Sequence, residues 1–192
     1  IYLFSYKEAI RMAFDKIKQN DVLSSWYDSF TNQFHSRNVW QYLEVPEKGC
    51  FTDFRKMKVD DDELAMERVF SIGGKTGWYY ANFLWKIRGF LDKLMGGVGL
   101  KRGRRNQNEL EAGDSVDFWR VLFANKEEKR LLLFAEMKVP GEAWLEFYIK
   151  DGELHQEATF RPLGLSGRLY WYSVLPFHGL IFNGMLRKLA GK

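Results

Sequence analysis

Cysteine and histidine are scarce in this chain. Among 192 residues the only cysteine is Cys50, and the histidines are His35, His155 and His178. A single cysteine allows neither an intrachain disulfide nor a cysteine-based metal site, so we expect a reducing, cytoplasmic setting. No two histidines have the four-residue spacing of a helical zinc site. The sequence therefore predicts no metal centre.

Long hydrophobic runs are missing as well. A membrane helix needs about 18 consecutive apolar residues. The most apolar stretch, near the C-terminus, is interrupted by Arg168, Pro176, His178 and Asn183. No signal-peptide pattern opens the chain, which begins at Ile1 instead of methionine. We expect no membrane span, and we expect this segment to belong to a longer polypeptide.

Motifs for nucleotide binding and for nucleophilic catalysis are also lacking. Three glycines between residues 96 and 99 follow a predicted helix, whereas a dinucleotide fingerprint follows a strand. Ser166 and Ser173 lack the glycine two residues later that completes a nucleophile elbow. These motifs give no reason to expect catalysis by the isolated domain.

Aromatic side chains, in contrast, are abundant. Phe, Trp and Tyr make up 17% of the chain and hydrophobic residues 46%, which is too much apolar surface for a disordered segment. We expect one large domain with a well-filled core or a cavity lined by rings. The net charge of +4 bears on solubility and association, and it does not indicate a fold.

The clearest basic run covers residues 101–105 and includes Arg102, Arg104 and Arg105. Aromatic residues are not interleaved with this run and no binding motif accompanies it, so we expect no nucleic-acid partner. Two interpretations stay open. The run forms a solvated loop, or it receives a phosphate, for example the cofactor phosphate of a neighbouring domain.

Alternating and strand-length apolar runs predict a sheet. One strand runs from Phe51 to Val59, and the most specific turn signal between later strands is Asp151-Gly152. Apolar residues occupy both alternating faces of these strands, which predicts an antiparallel meander covered on both sides. The later strands are predicted over Val116–Ala124, Arg130–Met137, Ala143–Ile149 and Gln156–Leu163.

Helical spacing predicts four helices around this sheet, and so an α+β domain. In the longest internal helix an apolar stripe is formed by Tyr80, Leu84, Ile87, Leu91 and Leu94. The helices are predicted over Ser5–Gln19, from Asp60 to Phe70, over Gly77–Met95, and from Ser166, as N-cap, to the C-terminus with a bend at Pro176.

Several runs of uncommon residues occur in fixed order after residue 38. They are residues 71–80, Leu84-Trp85 with Arg88-Gly89, Gly113-Asp114 with residues 117–121, residues 135–137, Pro140-Gly141, and residues 170–172 with 176–178. Together they resemble an uncharacterised domain family found C-terminal to NmrA-like and NAD-dependent epimerase-like Rossmann domains.

The resemblance implies a START-like (SRPBCC) helix-grip fold, in which a curved antiparallel sheet wraps around a long C-terminal helix, with an additional long helix. It implies a ligand-binding domain over residues 38–192. Residues 1–37 then form the last helix and linker of a preceding Rossmann domain. NAD(P) would belong to that missing domain, and this domain would hold no cofactor.

The candidate pocket residues are charged or aromatic. Asp117, Arg120 and Glu136 lie within predicted strands, where an unpaired charge is costly. We expect them in internal ion pairs or as polar anchors for a ligand. Arg88 precedes Asp92 by four residues, a spacing that suits either a helical ion pair or a ligand contact. The aromatic candidates, as core or as pocket walls, are Trp78, Trp85, Trp119, Trp144, Trp171 and Tyr172.

His178 is the one candidate for a general base. It stands two residues after Pro176, where its imidazole can hydrogen-bond the carbonyls that the proline leaves without a donor. The competing interpretation is acid-base chemistry near neutral pH.

Three functions stay open at this point. In the first, a small apolar or aromatic molecule occupies a cavity and its presence is coupled to the NAD(P)-binding domain. In the second, the domain closes over the nicotinamide site and contributes His178, Asp117 or Glu136 to an oxidoreductase or isomerase reaction. In the third, an apolar outer face forms a domain or homodimer interface.

Overall fold

The computed structural model describes residues 44–99, 104 and 109–192. In chain order the elements there are β1 (Phe51–Lys58), α1 (Asp62–Phe70), α2 (Asn82–Leu94), β2 (Ser115–Val116), β3 (Trp119–Asn125), β4 (Arg130–Ala135), β5 (Gly141–Lys150), β6 (Glu153–Pro162) and α3 (Gly164–Ala190). The predicted helix over Ser5–Gln19 and the predicted boundary after residue 37 lie outside these residues, so both stay predictions.

All six strands form one antiparallel sheet in the order β1-β6-β5-β4-β3-β2. The predicted meander is confirmed, since each strand from β2 to β5 pairs with its successor in sequence. Asp151 and Gly152 have φ angles of 54° and 70°, the left-handed conformation that a tight hairpin turn requires. The strand predicted over Val116–Ala124 is split into β2 and β3, because Asp117 has a φ of 53° and reverses the chain there.

Both faces of the sheet carry buried apolar side chains, as the sequence pattern predicts. The inner face is the one on which α3 packs: Phe51 of β1 stacks on Trp171 of α3 at 5.5 Å between ring centroids. On this face Leu133, Leu145 and Phe147 are fully buried. The outer face holds a smaller cluster formed by Leu122, Leu132, Phe134 and Trp144.

The long helix α3 extends over 27 residues along the inner face, with Phe182, Met185 and Leu189 buried in the main core. The prediction of an α+β helix-grip fold, with a curved antiparallel sheet around a long C-terminal helix, is confirmed. Ser166 is not the N-cap: the helix begins at Gly164, and the Ser166 hydroxyl donates to the carbonyl of Leu163 within the first turn.

The second long helix, α2, begins later than its apolar spacing predicts. Gly73 and Gly77 exchange backbone hydrogen bonds at 2.8 and 3.1 Å, and Tyr79 and Ala81 have positive φ angles of 61° and 51°. A helix cannot pass through residues in that conformation. The chain becomes helical only at Asn82, whose side chain accepts a hydrogen bond from the backbone N–H of Trp78.

The buried side of α2 is not the predicted apolar stripe. The buried residues are Trp85, Gly89 and Asp92. Leu91 and Leu94 of the stripe are 53% and 69% exposed. Leu84, Ile87 and Leu91 of the stripe line a cavity and are not part of the packed core.

Candidate ligand-binding cavity

A cavity of about 340 Å³ lies between α2, α3 and the inner face of the sheet. Its size falls within the range of small-molecule sites, which are mostly apolar with a few polar groups. Its walls include Leu84, Trp85, Ile87, Arg88 and Leu91 from α2, Tyr170, Trp171, Val174, Phe177, His178, Ile181 and Phe182 from α3, and Trp119, Ala143, Ala158 and Phe160 from the sheet.

Arg88 brings a positive charge to the α2 wall. Its Nη2 atom donates to the hydroxyl of Tyr170 at 2.5 Å and, at 3.0 Å, to the sulfur of Met137. The guanidinium also lies about 6 Å from the ring centroids of Phe118 and Tyr170. These partners of Arg88, a phenol, a thioether and two ring faces, are all neutral. In the part of the chain that the structure describes, Arg88 therefore forms no ion pair with a carboxylate.

Asp92 does not pair with Arg88, although the two stand four residues apart. Its Oδ2 accepts the backbone N–H of Gly99 at 2.8 Å, and its Oδ1 accepts that of Lys138 at 2.7 Å. The carboxylate also occupies the space that a side chain at Gly97 would need. Asp92 therefore ties the end of α2 to the loop before β5, and of the two interpretations of the Arg88 spacing the ion pair is wrong.

His178 faces the cavity from α3 as a neutral imidazole. Burial, reinforced by the positive charge of Arg88, lowers the pKa of His178 to about 4, against the opposing effect of Asp53 at 3.7 Å. Asp53 is itself held by Arg55 at 2.9 Å. The buried Nδ1 of His178 has no hydrogen-bond partner, so this nitrogen does not bond a carbonyl near Pro176.

Two indole N–H groups in the cavity wall lack partners. The Nε1 atoms of Trp85 and Trp119 are buried and make no hydrogen bond, and the two residues are only 5% and 6% exposed. Buried donors are normally satisfied in folded proteins. These two donors are enclosed by the surrounding rings, so the Trp85 and Trp119 side chains contribute apolar surface to the cavity wall.

Trp78 and Asp117 pair behind the cavity wall. The indole Nε1 of Trp78 donates to Oδ2 of Asp117 at 2.7 Å, and its ring stacks on Trp85 at 4.4 Å between centroids. Burial raises the pKa of Asp117, and the hydrogen bond from Trp78 opposes that rise. The pair supports the cavity-lining Trp85 and does not itself line the cavity.

Arg120 and Glu136 form an ion pair, which is one of the two roles expected for them. Arg120 Nε lies 2.9 Å from Glu136 Oε1, and the guanidinium also donates to the carbonyl of Gly113. Arg120 stands opposite Phe134, a member of the outer-face cluster. The pair therefore lies away from the cavity.

The remaining aromatic candidates divide between the cavity and the surface. Trp171 lines the cavity between the rings of Phe51 and Phe160. Trp144 borders the cavity, but its ring packs edge-on against Phe134 in the outer-face cluster. Tyr172 is 60% exposed and does not line the cavity.

The basic run is described at one residue only. Arg104 is buried and donates from Nη1 and Nη2 to the carbonyls of Ile72 and Glu109, so it is not a solvated loop residue. Burial lowers the pKa of Arg104. Arg102 and Arg105 lie outside the described residues.

Sequence reasoning did not single out Met137, Tyr170 or the structural role of Asp92. One signal for Asp92 was present in the sequence. An acid in the last turn of a helix opposes the helix dipole, and three glycines follow it closely. This combination indicates a carboxylate that accepts backbone N–H groups. Met137 and Tyr170 carry no such signal, since their meeting with Arg88 depends on how three elements pack.

The fold defines this protein as a helix-grip α+β domain, and a largely apolar cavity lies beside its long C-terminal helix. The chain belongs to the family described as "Protein of unknown function (DUF2867)", whose model matches residues 47–185. No helix among the described residues has the length and apolar character needed to cross a membrane.

Similar proteins were found in two further comparisons. The "Probable translation initiation factor IF-2" of Pyrococcus abyssi (strain GE5 / Orsay) is 29% identical over 125 residues, which cover 55% of this chain and 13% of that protein. The chain thus spans a small part of that relative. The crystal structure of Ara h 8.0201 superposes with a TM-score of 0.35 at 10% identity, covering 75% of this chain and 100% of the other.

Proposed function

We propose that this domain binds a small, largely apolar molecule in the cavity between α2, α3 and the sheet. The observation that carries the proposal is the cavity itself, about 340 Å³ in volume and walled mostly by aromatic and aliphatic side chains. Natural ligand sites have this character, with a few polar groups that orient the ligand. Arg88 is such a polar group here.

We further propose that the domain works within a longer, cytoplasmic protein whose preceding Rossmann domain binds NAD(P). The support is the resemblance of residues 38–192 to domains that follow NmrA-like and epimerase-like proteins. Occupancy of the cavity would then be coupled to the neighbouring nicotinamide site, and this domain would hold no cofactor of its own.

The test of ligand binding uses the uncharged fluorophore N-phenylnaphthylamine. We expect saturable binding to the purified chain, with the emission increase of an apolar site. Ala158→Phe, which places a ring in the cavity wall, should abolish it. Thr52→Phe, the same ring on the exposed outer side of β1, is the matched control and should bind as wild type. Equal binding by both variants would overturn the proposal.

A second candidate function, contact with another copy of this chain, is favoured by the exposed apolar surface of α2 and α3. Phe83, Phe90, Leu94 and Leu169 are each more than 60% exposed. A surface of this kind on a monomer indicates an interaction site, and a two-fold dimer is the commonest way to bury one. Sedimentation velocity across a concentration series tests it. A monomer throughout, for wild type and for Phe90→Ser with Leu94→Ser, would exclude the dimer.

A further inference from the structure

We infer that the ligand carries a carboxylate, and that Arg88 binds it from the cavity wall. This inference rests on the proposed function, because it requires an occupied cavity. It names the chemical class of the ligand, which the apolar walls alone leave open.

The first argument is the set of partners around Arg88. The guanidinium is charged at any physiological pH and has donors on three nitrogens. In the described part of the chain Nε and Nη2 contact the Met137 sulfur and the Tyr170 hydroxyl, whereas Nη1 makes none of these bonds. A thioether is a weak acceptor. The strongest partner for this group, a planar anion held by two parallel bonds, is therefore missing from the protein itself.

The charges around the cavity also favour an anion. Arg88 and Lys138 line it, and His178 is neutral there. Among the described residues the one lining acid is Asp92, which already accepts two backbone N–H groups. Asp53, near His178, is held by Arg55.

The charge of the site distinguishes a carboxylate from a phosphate. A phosphate monoester has three oxygens and nearly two charges, whereas Arg88 is the one half-buried cation in the described lining and Lys138 is exposed to solvent. A singly charged group on an apolar skeleton matches this single cation. An aliphatic or aromatic carboxylic acid has that composition.

Displacement of N-phenylnaphthylamine by a matched ligand pair tests the inference. Dodecanoate and dodecanol share an alkyl chain and differ in the head group. We expect dodecanoate to bind at least about tenfold more tightly, as expected for a hydrogen-bonded charge. Arg88→Met should remove that preference while N-phenylnaphthylamine still binds, and Arg88→Lys should restore it in part. Lys86→Met, at an exposed position of the same helix, should behave as wild type.

The outcomes separate the two proposals. If N-phenylnaphthylamine binds but dodecanoate and dodecanol displace it equally, the carboxylate inference fails and the apolar site stands. An unchanged preference in Arg88→Met also overturns the inference. If neither the fluorophore nor either lipid binds, both proposals fail.

Discussion

Arg120 and Glu136 form an ion pair in which Nε and Oε1 are 2.9 Å apart and the two side chains are 10% and 2% exposed. Removing one partner of a buried pair leaves an uncompensated charge. Glu136→Gln should therefore lower the free energy of unfolding by about 3 kcal/mol. Urea denaturation measures this loss.

The matched control for Glu136→Gln is Glu142→Gln. Glu142 pairs with Arg161 on the same sheet, but their side chains are 26% and 48% exposed. Solvent screening should limit its loss to about 1 kcal/mol or less. Equal losses of stability at the two sites would show that the ion pair of Glu136 with Arg120 is not buried.

Two glycines of α3 should respond oppositely to alanine. A Cβ at Gly184 would lie 2.3 Å from the ring of Tyr80, whereas one at Gly179 meets nothing within 4 Å. Gly184→Ala should destabilise the protein by about 2 kcal/mol through overpacking. Gly179→Ala should stabilise it by about 0.5–1 kcal/mol, because alanine loses less backbone freedom. Thermal unfolding of both variants checks the prediction, and a stabilising Gly184→Ala would contradict the packing of Tyr80 on α3.

His178 should make stability depend on pH below neutrality. Burial and the charge of Arg88 lower its pKa to about 4 in the folded protein, whereas an unfolded histidine titrates near about 6.5. The unfolded state therefore binds the proton first as the pH falls. The contribution of His178 is fully present above about pH 6.5 and is lost towards pH 4, by about 3 kcal/mol.

The measurement is urea denaturation at pH 7.5 and pH 4.5 for wild type and His178→Phe, which keeps a ring in the cavity. Acidic groups titrate in both proteins and cancel in the difference. The variant should lose less stability at the lower pH than wild type does. Parallel losses would mean that the imidazole is solvated in the folded state.

Asp117 combines a left-handed backbone conformation with a side-chain hydrogen bond, and two substitutions separate the contributions of these features. Its φ of 53° suits only a few residue types, and its carboxylate accepts the indole N–H of Trp78. Asp117→Asn keeps an acceptor oxygen and tolerates this conformation, so we expect a change within about 1 kcal/mol. Asp117→Ala loses both and should cost about 2–3 kcal/mol. Guanidinium denaturation compares them, and equal costs would show that the Trp78 bond contributes nothing.

The sheet was predictable because its signals are local. The strand runs before and after Asp151-Gly152 and the turn itself are set by residues within a few positions of one another. Apolar residues on both faces of β3 and β4 likewise predicted two buried clusters. The start of α2 was not predictable from apolar spacing, since the left-handed residues Tyr79 and Ala81 carry no compositional signal.

Residue type indicated which side chains line the cavity better than it indicated the partner of each side chain. Trp85, Arg88, Trp119, Trp171 and His178 all line the cavity. Trp78, Asp117, Arg120, Glu136 and Tyr172 lie elsewhere, because a charge or a ring in a strand shows only that it needs a partner. Which partner it finds depends on strand register and on the packing of distant elements.

The sequence by itself determined the fold class, the absence of a cysteine-based site and the abundance of rings, since composition and short-range periodicity specify each of these. Only the tertiary structure decided that α2 buries Trp85 and Asp92 and places part of its apolar stripe in a cavity wall. It also decided that Arg88 meets Met137 and Tyr170 instead of Asp92. These contacts join residues far apart in the chain, and their energies depend on three-dimensional neighbours that periodicity does not encode.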